Sequence, residues 1–179
     1  MGTINIRPAE SPADWEAVER LNYDTFVVEI PQHPPNESKR LYDPKLERAT
    51  MMCAWEGDIL AGMISVSWTR PFSLDLKLPN VDELVPAGSK VAEFRLLAVR
   101  PPWRRSRLAI RMIGSAGKFA VLAGCTHGIV SAYERQAKMY SHLGGYVVGP
   151  PIGTPSAPYR MMVFPLTEYV PLGVRPWFS

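Results

Sequence analysis

The stretch LLAVRPPWRRSRLAIRMIG, residues 96–114, is the part of the chain that is most informative about the fold. An apolar run ends at two prolines, a cluster of arginines follows, and the chain then becomes apolar again. The run through Val99 predicts a buried strand, and apolar residues that recur every three or four positions from Leu108 predict a helix. Four arginines crowd the connection, which we call the arginine turn (residues 100–107): Arg100, Arg104, Arg105 and Arg107.

The arginine turn is a predicted phosphate site. A helix that begins near Ser106, straight after a strand, has unpaired backbone N–H groups and the partial positive charge of aligned peptide dipoles. Such a helix start binds phosphate, and arginine side chains add forked donors that match phosphate oxygens. The alternative that the residues leave open is a solvated basic face that binds no ligand.

Composition is typical of a globular protein and excludes a polyelectrolyte. Of the 179 residues, 46% are hydrophobic and 21% are charged, and the formal net charge is +3. With so small a net charge, affinity for anions must come from local clustering, and the arginine turn is the densest cluster. We predict one domain over residues 1–179, of which residues 166–179 form an extended C-terminal tail.

The sequence contains no signal peptide pattern and no apolar run long enough for a membrane span, so we expect a cytoplasmic protein without a membrane partner. Cys53 and Cys125 lie far apart in apolar contexts and are predicted to be buried thiols. No residues have metal-ligand spacing, so no metal is expected. The three histidines, His33, His127 and His142, share no motif and are predicted to be non-catalytic.

The pattern along the chain predicts elements in the order β-α-β-β-β-α-β-α-β-β. The first helix is signalled by Ser11 as N-cap, Pro12 in the first turn and Asp14, which completes a capping box, and its apolar spacing runs to about Ile30. A turn at residues 56–58 joins two strands as a β-hairpin. Residues 70–90 lack clear periodicity, which is typical of a functional or mobile loop. This order predicts one mixed sheet with helices packed on it.

The segment AVRPPWRRSRLA, residues 98–109, resembles the acyl-CoA-binding signature of the GNAT superfamily, the general N-acetyltransferases. In that signature a strand ends in a V-x-P-x-aromatic turn, and R/Q-x-x-G-x-G/A then opens a helix over the CoA pyrophosphate. The matching positions are Val99, Pro101, Trp103, Arg104 and Ala109. Arg107 stands where the family usually has glycine, so it either narrows the approach of pyrophosphate to the backbone or itself holds a phosphate. The resemblance implies CoA contacts from Leu97, Ala98, Val99, Arg104, Arg105, Ser106, Arg107, Leu108 and Ala109.

A second segment, AKMYSHLGGY at residues 137–146, is similar to the A-x-x-x-Y-x-x-L-G-F helix of the same superfamily. Tyr140 precedes Leu143 and Gly144 at the family spacing. The alanine lies three residues before the tyrosine, where the family has four, and an additional Gly145 precedes Tyr146. The two motifs occur in the family order, and the similarity to the superfamily spans most of the chain, from the first helix to the last strands.

The resemblance implies an α+β fold: a single GNAT-like domain whose mixed, mainly antiparallel sheet has six to seven strands with helices packed on both faces. It implies an N-acyltransferase that moves an acyl group from acetyl-CoA, or a longer acyl-CoA, to a primary amine by direct attack. In this chemistry a backbone amide of the fourth strand polarises the thioester carbonyl. No metal takes part.

Two catalytic residues follow from the resemblance. Glu93 lies five residues before Ala98 on the strand VAEFRLLAV, where several family members have a catalytic glutamate, and would take the ammonium proton. Tyr140 would return a proton to the departing thiolate. The alternatives are an ion pair of Glu93 with an arginine such as Arg95, and a core role for Tyr140. Strict alternation along this strand places four residues on one face: Glu93, Arg95, Leu97 and Val99.

The N-terminal half is similar to one branch of the superfamily, the acyl-homoserine-lactone synthases and N-acyl amino acid synthases. Phe26, Val27 and the pair Tyr42-Asp43 match its R-x-x-V-F-V … D-x-Y-D opening, and EFRLLAV is similar to its E-F-S-R-x-A-V strand. Three branch positions differ, at Arg40, Ser65 and Leu96, and these changes argue against lactone synthesis. The branch implies a long acyl donor, and the arginine turn would suit an acidic acyl carrier protein as well as CoA.

Other functions stay open at this point. The rivals are an acyl-CoA sensor without turnover and a nucleic-acid-binding module that uses Arg100–Arg111. The small net charge and the absence of a helix-turn-helix or RNA-binding motif disfavour nucleic acid. We therefore expect a small-molecule amine acceptor as the partner and no nucleic acid, and we leave a homodimer open. Five methionines could line an acyl channel or simply fill the core: Met63, Met112, Met139, Met161 and Met162.

Overall fold

The structure is a computed structural model that describes residues 2–154 and 157–166, without the side chains of residues 134, 135 and 157. Within these residues the strands are β1 (Ile4–Pro8), β2 (Thr50–Glu56), β3 (Ile59–Ser67), β4 (Val91–Val99), β5 (His127–Tyr133), β6 (Tyr146–Thr154) and β7 (Ala157–Pro165). The α-helices are α1 (Pro12–Tyr23), α2 (Leu108–Leu122) and α3 (Glu134–His142). The predicted C-terminal tail, apart from residue 166, lies outside the described residues.

The strands form one seven-stranded sheet in the order β1-β2-β3-β4-β5-β7-β6. Strands β4 and β5 run parallel, with Val91–Phe94 beside His127–Val130. The pairs β1–β2, β5–β7 and β6–β7 are antiparallel. This mixed sheet with its helices confirms the predicted α+β class.

The chain divides into two compact units, residues 1–65 with 96–116 and residues 66–95 with 117–179. The first unit is built around a core of α1, β2, β3 and the second half of β4, with Val18, Leu21, Met51, Cys53, Met63 and Ala98 buried in it. That the chain is a single domain stays a prediction.

Helix α1 begins as the sequence predicts. The Ser11 hydroxyl accepts a hydrogen bond from the Asp14 amide, and the Asp14 carboxylate accepts one from the Ser11 amide, both at 3.1 Å. The same carboxylate accepts two hydrogen bonds from the Arg7 guanidinium, at 2.7 and 2.9 Å. The capping box is thus confirmed, and an arginine from β1 reinforces it.

The end of this helix differs from the prediction. The α-helix stops at Tyr23 and continues as a π-helix over Asp24–Glu29, where the Ile30 amide bonds to the carbonyl five residues back, on Thr25. Residues five apart lie about 140° apart around an α-helix but nearly above one another in a π-helix. The wider turn therefore brings Asp24 and Glu29 to the same side, where both meet arginines.

The second unit is built on β5, β7 and the loop between β3 and β4. This loop, expected to be functional or mobile, contains two short 3₁₀ turns (Leu74–Leu76 and Val81–Leu84). Its apolar residues belong to the core: Phe72, Leu74, Leu78 and Val81 pack with Ile129, Met161 and Val163 of the sheet. Leucines and valines at irregular spacing thus fix a loop that has no helical or strand period.

Candidate active site

Strand β4 has a break in its regular geometry. Leu96 has a φ of +54°, which is left-handed and uncommon for a residue with a side chain. Alternation of side chains needs continuous extended backbone. The prediction that four residues of β4 share one face is therefore wrong beyond this point, and it holds only for Glu93 and Arg95. Leu96 and Ala98 pack in the core of the first unit.

The arginine turn is held by its own backbone and by tryptophan. Pro101–Trp103 form a 3₁₀ turn, and the buried Trp103 indole donates to the Glu56 carboxylate at 2.8 Å. The Ser106 hydroxyl donates to the Trp103 carbonyl at 2.6 Å and accepts from the Leu108 amide at 3.2 Å. Ser106 thus satisfies the first backbone amide of α2, which begins at Leu108, where its apolar period starts.

Two of the four arginines bind carboxylates of the π-helix. Arg100 donates to Asp24 at 3.1 Å and to the Leu60 carbonyl at 2.9 Å. Arg104 donates to Glu29 and, at 2.7 Å, to the Val99 carbonyl. Both guanidiniums therefore tie the turn to its surroundings in the first unit. Arg105 is exposed beside them.

Arg107, which replaces the glycine of the signature, is also exposed. Its backbone does not take the left-handed φ that would require glycine. The turn therefore accepts a side chain at this position without backbone strain.

Gly62 of β3 is a position that the sequence analysis did not single out. A Cβ there would lie 2.8 Å from the Met112 sulfur on α2 and 2.9 Å from the Ala98 carbonyl oxygen on β4. Only glycine lets α2 approach these strands so closely. A glycine inside a buried strand pattern was the available signal.

Glu93 is buried, with 4% of its surface exposed. Its two carboxylate oxygens accept the backbone amides of Ser73 at 2.8 Å and Leu74 at 2.9 Å. Burial raises the pKa of Glu93 above its ordinary value, although the two amides and the charges of Arg95 and Lys77 act in the opposite direction. The carboxylate therefore anchors the loop and also has the raised pKa that suits a proton acceptor.

Tyr140 lies on α3 and is 7% exposed. Burial raises its pKa to about 12, so the hydroxyl keeps its proton at neutral pH. The additional Gly145 has a structural reason: its amide bonds to the Tyr140 carbonyl at 2.9 Å, and a Cβ there would lie 2.9 Å from the same oxygen. The catalytic roles of Tyr140 and Glu93 stay predictions.

A cation and two tyrosines in the second unit were not found from the sequence. Tyr133 on β5 and Tyr159 on β7 are directly paired, with ring centroids 4.2 Å apart, and the Lys77 ammonium lies 5.5 Å from the Tyr159 ring centroid. Burial and a hydrogen bond with Tyr133 raise the pKa of Tyr159. Tyr133 alternates in phase with the buried Ile129, and that period-two pattern was the signal for the tyrosine.

The remaining predictions concern single residues. Cys53 and Cys125 are buried free thiols, as predicted, and burial raises the pKa of Cys53 to about 12. Four of the five methionines considered for an acyl channel are fully buried: Met63, Met112, Met161 and Met162. Among the described residues, no group of three or more His, Cys, Asp or Glu is placed to hold a metal, and no helix is long and apolar enough to cross a membrane.

Comparisons with known proteins agree with these observations. The family model of the N-acyl amino acid synthase FeeM matches residues 17–163. No curated protein matches the sequence. The solved structure of FeeM, from uncultured soil microbes, is similar with a TM-score of 0.75 and 19% identity, covering 94% of this chain and 94% of that one.

Two further structures have the same fold. A CoA-dependent acyl-homoserine lactone synthase, BjaI, with SAM and isopentyl-CoA, is similar with a TM-score of 0.74 and 17% identity, covering 89% of this chain and 80% of that one. An acyl-CoA N-acyltransferase from Pseudomonas aeruginosa has a TM-score of 0.65 and 15% identity, covering 90% of this chain and 99% of that one.

Proposed function

Since the chain belongs to the N-acyl amino acid synthase FeeM family of acyltransferases, we propose that it moves an acyl group from an acyl thioester to the amino group of an amino acid. The donor is acyl-CoA, or an acyl chain on the phosphopantetheine of an acidic carrier protein. The observation that supports this most is Glu93, a buried carboxylate with a raised pKa on the strand that leads into the arginine turn.

In the proposed reaction, the arginine turn binds the phosphates of the donor. Arg105 and Arg107, which are both exposed on the turn, are the side chains assigned to this task. The backbone amides at the start of α2 and the residues of the signature, from Leu97 to Ala109, complete the predicted donor site.

The chemical step conserves charge and protons. The ammonium of the acceptor loses a proton to Glu93, directly or through water, and the neutral nitrogen attacks the thioester carbonyl carbon. A C–N bond forms, the C–S bond breaks, and the thiolate takes a proton from Tyr140. The tyrosinate then takes the second proton of the attacking nitrogen, which becomes the amide N–H, and Glu93 releases its proton to solvent. The Tyr140 hydroxyl is available as a proton donor because it stays protonated at neutral pH. The products are an N-acyl amino acid and a free thiol.

The test has two stages. First, the full chain is heated with CoA, acetyl-CoA and acyl-CoAs of increasing length; a donor at 100 times its dissociation constant stabilises the fold by about 2.7 kcal/mol. Second, thiol release from the best donor is followed with each proteinogenic amino acid. Tyr140→Phe should lower the rate roughly tenfold or more, whereas Tyr146→Phe, on an exposed tyrosine, should leave it unchanged.

The outcomes separate the rival functions. If acyl-CoA stabilises the fold but no amine causes thiol release, the protein is an acyl-CoA sensor and not an enzyme. Stabilisation by no donor, together with retention on nucleic acid at low salt, would favour the nucleic-acid module. Transfer to simple amines but to no amino acid would keep the acyltransferase and overturn the acceptor class.

A further inference from the structure

In the second unit, one face of the sheet changes character along its strands. On β5, Ile129, Ser131 and Tyr133 alternate onto this face, and their direct partners on β7 are Val163, Met161 and Tyr159. Ile129, Met161 and Val163 are fully buried beneath the β3–β4 loop. Toward the C-terminal end of β5 the same face has a hydroxyl and two phenols. The apolar half is filled by the protein, whereas the polar half is only partly covered.

Two cations lie at this polar half. The Lys77 ammonium lies 5.5 Å from the Tyr159 ring centroid, and Lys77 itself is exposed. Arg95 follows Glu93 by two residues on β4, before the break at Leu96, so both side chains are on the same face. The charges of Arg95 and Lys77 both reach the Glu93 carboxylate. One anion and two cations of the second unit thus lie close enough for their charges to interact.

The Ser131 hydroxyl is the third feature of this face. Its oxygen is shut off from solvent and has no hydrogen-bond partner among the described residues. A buried hydroxyl without a partner is unfavourable, so most such groups in native proteins are satisfied by water or by a ligand. The Ser131 hydroxyl lies on the same face of the sheet as Tyr133 and Tyr159, next to which Lys77 lies.

We propose that this surface, made by Lys77, Arg95, Ser131, Tyr133 and Tyr159, binds the carboxylate end of the acceptor. The two cations hold the acceptor carboxylate, and the paired tyrosine rings form the floor beneath its side chain. The inference rests on the proposed function and deepens it by assigning the residues that select an amino acid over a plain amine.

The arrangement of charge fits a zwitterion. A free amino acid has a carboxylate and an ammonium on neighbouring atoms, and it is oriented by a site with cations on one side and a carboxylate on the other. Arg95 and Lys77 attract the carboxylate, which directs the ammonium toward Glu93. An amine without a carboxylate gains nothing from the cations, and its positive charge is repelled by them.

A purely structural explanation makes a different prediction. If Arg95 and Lys77 only offset the buried charge of Glu93, their removal changes the proton affinity of Glu93 for every acceptor alike. A carboxylate site changes the discrimination between acceptors instead. The ratio of kcat/KM for a free amino acid to kcat/KM for its methyl ester, compared between variant and wild type, separates the two, because the ester lacks the negative charge of the acid. The ester also has a more acidic ammonium group, but this difference is the same in variant and wild type.

The experiment uses the best amino-acid acceptor and its methyl ester with wild type, Arg95→Gln, Lys77→Gln and Lys90→Gln. Loss of one charged contact should lower the ratio roughly 10- to 100-fold for Arg95→Gln, and less for the more exposed Lys77. Lys90, an exposed cation just before β4, is the matched control and should leave the ratio unchanged. An unchanged ratio in Arg95→Gln and Lys77→Gln would overturn the proposal.

Direct binding keeps the carboxylate site testable if no transfer is found. Wild type and Arg95→Gln are titrated with the proteinogenic amino acids and their methyl esters in a calorimeter, which measures the affinity for each acceptor without turnover. Binding of a free amino acid that is lost with the ester and in Arg95→Gln supports the site even where the proposed reaction fails. Equal binding of acid and ester, or no binding of either, overturns the site whatever the fate of the reaction.

Discussion

Glu93 has an observed structural role in the second unit and a proposed catalytic one, and its substitution should test both. Its carboxylate holds the amides of Ser73 and Leu74 and is also the assigned proton acceptor. Glu93→Gln keeps one acceptor oxygen for the loop, sets an NH2 group against the other backbone amide, and cannot take a proton. We expect kcat/KM to fall roughly 100-fold, and we expect a lower melting temperature because one buried hydrogen bond of the loop is lost. Glu83→Gln, on an exposed glutamate of the same loop, serves as control.

The pH profile gives the sign of the Glu93 effect. Only the ionised carboxylate accepts a proton, so activity should rise with pH through the pKa of Glu93, which burial places above its ordinary value. This acid limb should disappear in Glu93→Gln. Since the folded state favours the protonated form, Glu93 itself should make wild type lose stability as pH rises from the ordinary pKa to the raised one. A variant that keeps the acid limb would exclude Glu93 as the base.

The Arg107 side chain either binds a phosphate of the donor or narrows the approach of the phosphates to the backbone, and two substitutions distinguish these effects. Arg107→Gly removes both charge and bulk, and Arg107→Gln removes mainly charge. If the guanidinium binds a phosphate, both variants should bind CoA roughly tenfold or more weakly, and the loss should shrink at high salt because the wild-type contact is screened. Calorimetric titration at two salt concentrations measures this. Tighter CoA binding by Arg107→Gly alone would mean that the side chain merely narrows the approach.

Helix α1 depends on one carboxylate. Asp14 accepts hydrogen bonds from Arg7 and from the amides of Glu10 and Ser11. Asp14→Ala removes the capping box and leaves Arg7 without its partner, so the free energy of unfolding should fall by about 3 kcal/mol. Urea denaturation measures it, with Glu16→Ala on the exposed face of the same helix as control. A loss no greater than that of the control would contradict the assignment.

The same carboxylate predicts a pH dependence of stability. The hydrogen bonds from Arg7, more than any other cause, hold the pKa of Asp14 well below its usual range. Its contribution should therefore be complete above the unfolded pKa of about 4 and should be lost as pH falls toward the lowered folded pKa. Asp14→Ala should flatten that part of the stability profile.

The contact of α2 with β3 and β4 depends on Gly62. Gly62→Ala places a methyl group 2.8 Å from the Met112 sulfur and 2.9 Å from the Ala98 carbonyl oxygen, so stability should fall by about 1–3 kcal/mol. Gly117→Ala, inside α2, meets only Leu166 at 3.8 Å and should raise stability by about 0.5–1 kcal/mol, because alanine favours the helix. Thermal unfolding of the pair measures the difference. Equal effects would mean that the close approach relaxes freely.

Across the whole chain, the sequence allowed prediction where the signal was local. Ser11, Pro12 and Asp14 lie within four residues, and their capping box was correctly predicted because each partner is within reach of the others. The same holds for α2, whose apolar period starts at Leu108 and whose end is marked by Gly124 with a positive φ. The order of strands and helices followed from these elements and gave the fold class.

Contacts between distant parts of the chain were not predictable. The partners of Glu93 lie 19 and 20 residues away in a loop without period, so an ion pair with Arg95 was as reasonable a reading as the observed amide anchor. The π-helix and the left-handed Leu96 are backbone adjustments that no residue type announces at these positions. That Arg100 and Arg104 of the arginine turn bind Asp24 and Glu29 could be seen only in three dimensions, because these partners lie 76 and 75 residues away in the sequence.

The left-handed residue in β4 reverses the usual rule for substitutions in a strand. A β-branched residue favours a strand almost everywhere, and glycine weakens it. At Leu96 an L-residue in this conformation costs about 1–2 kcal/mol, which glycine would not incur. Leu96→Gly should therefore melt above Leu96→Val, although valine keeps more of the buried side chain. If glycine is better tolerated than valine at this position, the left-handed backbone of residue 96, and not the propensity of a residue type for β-structure, determines stability there.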